Sequence, residues 1–92
     1  MALLTDQEIE ERLPGVDGWR RDAAAITKAF EFDDFVGSVA FVNRILAPAE
    51  EMNHHPDLKI SWNTVEVSIS SHSEGGLTAA DFVLASKLDA VA

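Results

Sequence analysis

Cysteine is absent from the 92-residue chain, which removes disulfides, zinc-thiolate sites and cysteine nucleophiles at once. No oxidising compartment is needed. Long apolar runs are missing too: no stretch approaches the ~18 residues needed to cross a bilayer, and the start "MALLTDQEIEERLPG" lacks the basic cluster and apolar run of a signal peptide. A cytoplasmic protein is expected. Basic side chains are scarce, seven against sixteen acidic ones, and the formal net charge of -9 repels phosphate backbones and anionic lipid. Neither nucleic acid nor a membrane is expected as a direct partner. Repeats, low-complexity tracts and linkers are also missing, and 47% hydrophobic with 25% charged residues predicts a single domain over residues 1–92. At this length the core is marginal, so an apolar face buried against a second subunit would add stability.

What is present reads as seven elements. "LTDQEI" carries a helix start, with Thr5 as N-cap, Glu8 as its capping-box partner and Leu4 with Ile9 as the hydrophobic staple; Pro14-Gly15 stops it. "GWRRDAAAITKAFEF" predicts two strands and a short turn, with Ile26, Phe30 and Phe32 alternating. A helix follows, started by Asp33 or Asp34, with Phe35, Val39, Val42 and Leu46 at helical spacing. Phe41, Ile45 and Met52 form a second apolar set on another side of it, which predicts that one side covers the sheet and that this second set meets a partner subunit. Pro48 removes the hydrogen bond to the Arg44 carbonyl and predicts a kink ahead of Glu50. In "DLKISWNTVEVSISSH", Val65, Val67 and Ile69 alternate with Glu66, Ser68 and Ser70, as in a strand with one buried face. "GLTAADFVLASKLDAVA" repeats the first start signal, with Thr78 as N-cap, Asp81 at the third helical position and Leu77 with Phe82 as staple. The order α-β-β-α-β-β-α predicts an α+β fold: a four-stranded antiparallel sheet with three helices on one face.

The chain has only three histidines, and two of them are adjacent in "EEMNHHPDLKISWN". If Asn63 and Thr64 form the hairpin loop, Trp62 pairs with Val65 and His72 falls opposite His55. Glu50 lies four residues before His54, so a continuing helix would put them on one face. Pro56 ends that helix and biases His55 toward an extended backbone, which lets both neighbours face one pocket. Imidazole titrates near ~6.5, so one ring can give a proton while another takes one at neutral pH. Each piece also has a structural explanation. Histidines complement a helix C-terminus, Glu50 suits a solvated helix face, and Asp81 is accounted for by its capping box. A metal site is disfavoured, because adjacent helical residues point ~100° apart rather than sharing a face.

"AEEMNHHP", followed after a strand-turn-strand by "SSHSEGGLTAADFVLASKLDAVA", resembles the pterin-4a-carbinolamine dehydratase family. The likeness reaches back through "FEFDDFVGSVAFVNRI" to Gly18-Trp19, about four fifths of the chain. The resemblance implies dehydration of 4a-hydroxytetrahydropterin to quinonoid dihydropterin in tetrahydropterin recycling, without metal or redox cofactor. It implies that His54 and His72 are the acid/base pair, that His55 and Pro56 shape the pocket, and that Glu50 contacts the polar pterin edge. Asn53, Ser70, Ser71 and Ser73 fall at substrate-contact positions, and Asp81 matches an aspartate beside the site. A pterin is the implied partner, and the family's assembly as dimers or tetramers agrees with the doubly apolar helix. The rival expectation is a non-catalytic assembly or chaperone-like binding module on the same fold.

Overall fold

The computed structural model describes residues 2–92. The elements, in chain order, are α1 (Asp6–Arg12), β1 (Arg20–Asp22), β2 (Ala25–Glu31), α2 (Phe35–Met52), β3 (Asp57–Ser61), β4 (Thr64–Ile69) and α3 (Ala79–Val91), with a short 3-10 turn at Leu13–Gly15 after α1. The four strands form one antiparallel sheet in the order β1-β2-β4-β3, covered by helices on one face. The expected α+β architecture is the observed one.

Local signals act where the sequence puts them. Thr5 caps α1, its hydroxyl accepting the Glu8 amide at 3.2 Å while the Glu8 carboxylate accepts the Thr5 amide at 2.9 Å. That reciprocal bond holds the Glu8 carboxyl below its ordinary value. Asp34, rather than Asp33, caps α2 through the Gly37 amide at 2.8 Å. Pro48 does not interrupt α2, which continues four residues beyond it to Met52 with the ring buried.

The core joins the alternating residues of β2 and β4 (Ile26, Phe30, Val65, Val67, Ile69) to Phe41, Ile45 and Ala49 of α2 and Phe82, Leu84, Ala85 and Leu88 of α3. Phe41 stacks obliquely on Phe30 and Phe32, with ring centroids 4.6 and 5.1 Å away. This reverses the expected use of the two sides of α2. Phe41 and Ile45, expected to meet a partner subunit, are 0% and 2% exposed and face the chain's own sheet. Phe35 and Leu46, expected to cover the sheet, are 53% and 65% exposed, with Val36 beside them. Helical spacing identified both stripes, and the contacts of Phe41 with the Phe30 and Phe32 rings show which of them turns inward.

The β3–β4 register also differs from the expected one. Ser61 pairs with Thr64 and Ile60 with Val65, so the turn is Trp62-Asn63. Trp62 takes a left-handed φ of 48°; its carbonyl accepts the Ser38 hydroxyl at 2.7 Å, and the Asn63 carbonyl accepts the Phe32 amide at 2.7 Å. These tertiary bonds pin the turn one residue earlier than Asn63's turn propensity suggests. The resulting slip is an even number of positions, so every β3 side chain keeps its face. His55 is carried toward Ser70, not toward His72.

Candidate active site

The C-terminal end of α2 sets the geometry. Asn53 stops the helix in the left-handed conformation (φ 48°), and the next amide, that of His54, returns to the Ala49 carbonyl at 3.0 Å. This is the αL termination for which asparagine is the usual non-glycine choice. It takes His54 out of helical phase, which corrects the expected Glu50–His54 pairing. Glu50 instead meets His55, Oε2 to Nε2 at 2.5 Å, on the exposed rim. His54 turns inward to Asp81, Nε2 to Oδ1 at 2.6 Å.

The other wall comes from the segment after β4. That strand ends at Ile69, earlier than a strand reaching His72 would require, and the chain closes a tight turn bridged by Ser71 and Gly76. Gly75 supplies the positive φ of 79° that the turn needs. His72 rides on this turn, 72% exposed, with Nε2 3.8 Å from Asp57 Oδ2. That is an ion-pair distance rather than a hydrogen bond.

Between these walls lies a cleft of about 390 Å³. All three histidines line it, together with Asn53, Ser70, Ser71 and Ser73. Glu50 and Pro56 are set back from it, and Asp81 lies beneath the floor, fully buried behind His54. Ser70 donates to the Ala24 carbonyl at 2.6 Å, tying the cleft to the β1–β2 turn. The Ser71 hydroxyl is 4% exposed by residue and points at Asp81. Ser73 donates to Glu74 at 2.6 Å and holds that carboxyl below its ordinary value.

Sequence reasoning missed two carboxylates here: Glu74, which lines the cleft, and Asp57, which stands beside His72 but outside the cleft lining. Adjacency was the available signal, since Glu74 lies two residues beyond His72 and Asp57 follows "HHP" directly. Each histidine thus stands by its own carboxylate: His54 by Asp81, His55 by Glu50, His72 by Asp57. Among the described residues no group of three histidine or carboxylate side chains is arranged to hold a metal ion.

A larger depression of about 650 Å³ crosses the open face of the sheet, between Arg20, Ser68 and Lys59. It contains no histidine and no buried charged group. Chemistry therefore points to the smaller cleft, where a buried carboxylate backs an imidazole that opens to solvent.

The pterin 4 alpha carbinolamine dehydratase family matches residues 2–91. This chain belongs to that family. Relatives from Mycobacteroides abscessus and Roseiflexus castenholzii carry the provisional name pterin-4-alpha-carbinolamine dehydratase. The first is 45% identical over 89 residues, 97% of this chain and 95% of the relative; the second is 46% identical over 90 residues, 98% and 97%. The crystal structure of a transcriptional coactivator/pterin dehydratase from Brucella melitensis matches with a TM-score of 0.94 at 36% identity, covering 99% of each chain. A pterin dehydratase-like protein identified as a RuBisCO assembly factor in the alpha-carboxysome shares the fold, with a TM-score of 0.69 over 80% of this chain at 23% identity. No helix among the described residues is long and apolar enough to cross a membrane.

Proposed function

We propose that the chain catalyses dehydration of 4a-hydroxytetrahydropterin to quinonoid dihydropterin in tetrahydropterin recycling, with no metal or redox cofactor. The observation that carries this reading is the convergence of three histidines on one cleft, one of them backed by a buried aspartate. Elimination needs a base for the N5 proton and an acid for the departing C4a hydroxyl. His54 suits the base: a carboxylate behind an imidazole orients the ring and stabilises the imidazolium that forms. His72, on the opposite wall beside Asp57, suits the acid. As N5–H transfers to His54, a C4a–N5 double bond forms, the C4a–O bond breaks, and the proton from His72 completes a water molecule. Exchange with solvent then resets both rings.

His55, held by Glu50 at the rim, shapes the entrance with Pro56 beside it. Asn53 offers its amide to the pterin edge, and Ser70 and Ser73, whose protons go to Ala24 and Glu74, offer only acceptor oxygens. The chain assembles as a dimer or tetramer through the outer side of α2, where Phe35, Val36 and Leu46 are exposed. That side replaces Phe41 and Ile45, which the chain's own core already covers.

Stopped-flow absorbance on freshly generated carbinolamine tests the reaction. Faster decay of the 4a-hydroxy species with the protein at micromolar concentration is the expected result. No acceleration over the spontaneous rate would leave the cleft without this activity and favour a binding role.

A further inference from the structure

Asp81 is fully buried, and both of its carboxylate oxygens are engaged. Oδ2 accepts the Thr78 amide at 2.8 Å and the Ser71 hydroxyl at 3.0 Å, while Oδ1 meets His54 Nε2 at 2.6 Å. The Ser71 oxygen also lies 2.8 Å from Thr78 Oγ1. Proton counting gives each of these bonds a direction. An ionised carboxylate only accepts, and a serine hydroxyl has one proton to give. Ser71 therefore donates to Asp81, so the Ser71–Thr78 bond is donated by Thr78, and opposite a carboxylate oxygen that only accepts, the fitting His54 tautomer carries its proton on Nε2. The buried train runs from Thr78 through Ser71 to Asp81, with His54 donating into its far end. Among the described residues no buried side-chain polar atom is left without a partner, so the train has no slack donor to substitute for a missing one.

We infer that Ser71 and Thr78 are positioning residues acting through Asp81, and that Nδ1 of His54 is the nitrogen that exchanges a proton with the bound molecule. Nε2 is committed to Asp81 whether the ring is neutral or cationic, so only Nδ1 changes state. This inference deepens the dehydratase reading and rests on it for the identity of the reacting proton. It also moves Ser71 from substrate contact to support, because its one proton is already directed away from the cleft. The helix start itself thereby becomes part of the site: the Thr78–Asp81 pair that begins α3 is the pair that orients His54.

Imidazole nitrogen NMR of the intact protein, without any pterin, tests the tautomer directly. Neutral His54 should hold its proton on Nε2, and titration should move the Nδ1 signal. Ser71→Ala should give a mixture of neutral tautomers and lower kcat about tenfold or more with KM little changed, since one hydrogen bond to a charged group is lost. Ser71→Thr, which restores the hydroxyl, should restore both the tautomer and kcat. A native His54 that holds its proton on Nδ1 would overturn the inference, whatever the variants do. So would a Ser71→Ala protein that raises KM with the tautomer unchanged, the signature of a lost substrate contact. Because the NMR reading needs no substrate, a protein with the expected tautomer but no dehydration would sink the proposed reaction and leave the train standing.

Discussion

Replacing Asp81 with asparagine separates a helix cap from an orienting carboxylate. The asparagine side chain offers one acceptor oxygen and one NH₂ donor where the aspartate has two acceptors. If the amide oxygen takes the Oδ2 place, the Thr78 amide and the Ser71 hydroxyl stay satisfied, and the NH₂ group faces His54 Nε2. His54 must then present a lone pair there and move its proton to Nδ1, the wrong tautomer for a base. If the amide is flipped, the NH₂ group confronts two donors at a fully buried position. The first arrangement is the cheaper one. It exchanges charge-assisted bonds worth about 1.5–3 kcal/mol each for neutral ones of about 0.5–1.5 and weakens the cap, so a total loss of about 2–4 kcal/mol is expected. In a chain of this length that corresponds to a Tm drop of roughly 10–30 °C. Misplacing the proton on a catalytic histidine should lower kcat by a factor on the order of 10²–10⁴. Urea unfolding and stopped-flow kinetics on the same preparation measure both quantities. A variant that loses stability yet keeps kcat within ~3-fold would show that Asp81 only begins the helix, and the orienting role would be wrong. Thr78→Ala is not a clean capping control, because the Thr78 hydroxyl also serves Ser71.

Phe41→Ala should cost about 3–5 kcal/mol at every protein concentration, because Phe41 fills the chain's own core; a loss in urea unfolding that disappears on dilution would return it to an interface. Leu46→Glu should leave that core intact and yield a smaller species by light scattering, whereas an unmodified chain that is monomeric at ~10 µM would remove the proposed assembly. Glu8, whose folded carboxyl titrates below its ordinary value, contributes stability present above that value and lost as pH falls through the folded one. Thermal unfolding across the carboxylate range should therefore be less acid-sensitive in Glu8→Gln than in the native chain, and parallel curves would contradict the capping-box account of the shift.

The elements were legible because their signals are local. Thr5-x-x-Glu8 and Thr78-x-x-Asp81 start helices where they stand, and Val65, Val67 and Ile69 alternate as a half-buried strand must. What sequence could not supply was decided by contacts across the fold. The side of α2 that turns inward was chosen by the Phe30 and Phe32 rings, and the β3–β4 turn was fixed by hydrogen bonds from Ser38 and Phe32. In the cleft, convergence of the histidines survived the register error, because an even slip keeps faces and moves partners only along them. The pairing of carboxylates with histidines did not survive. Counting four residues from Glu50 to His54 assumes a helix that continues, and the left-handed Asn53 ends it first, sending His54 to Asp81 and leaving Glu50 for His55.

The central claim is that His54 and His72 move the two protons of one elimination. Stopped-flow decay of 4a-hydroxytetrahydropterin with the native chain, His54→Ala and His72→Ala, each corrected for the spontaneous rate, tests it most directly. Each single variant should lose a factor on the order of 10²–10⁴ in catalysed rate; the unfolding midpoint should change little in His72→Ala, whose ring is exposed, and should fall in His54→Ala, which leaves the buried Asp81 short of a donor. Native rates in both variants would contradict the assignment and leave the histidine cleft without its proposed chemistry.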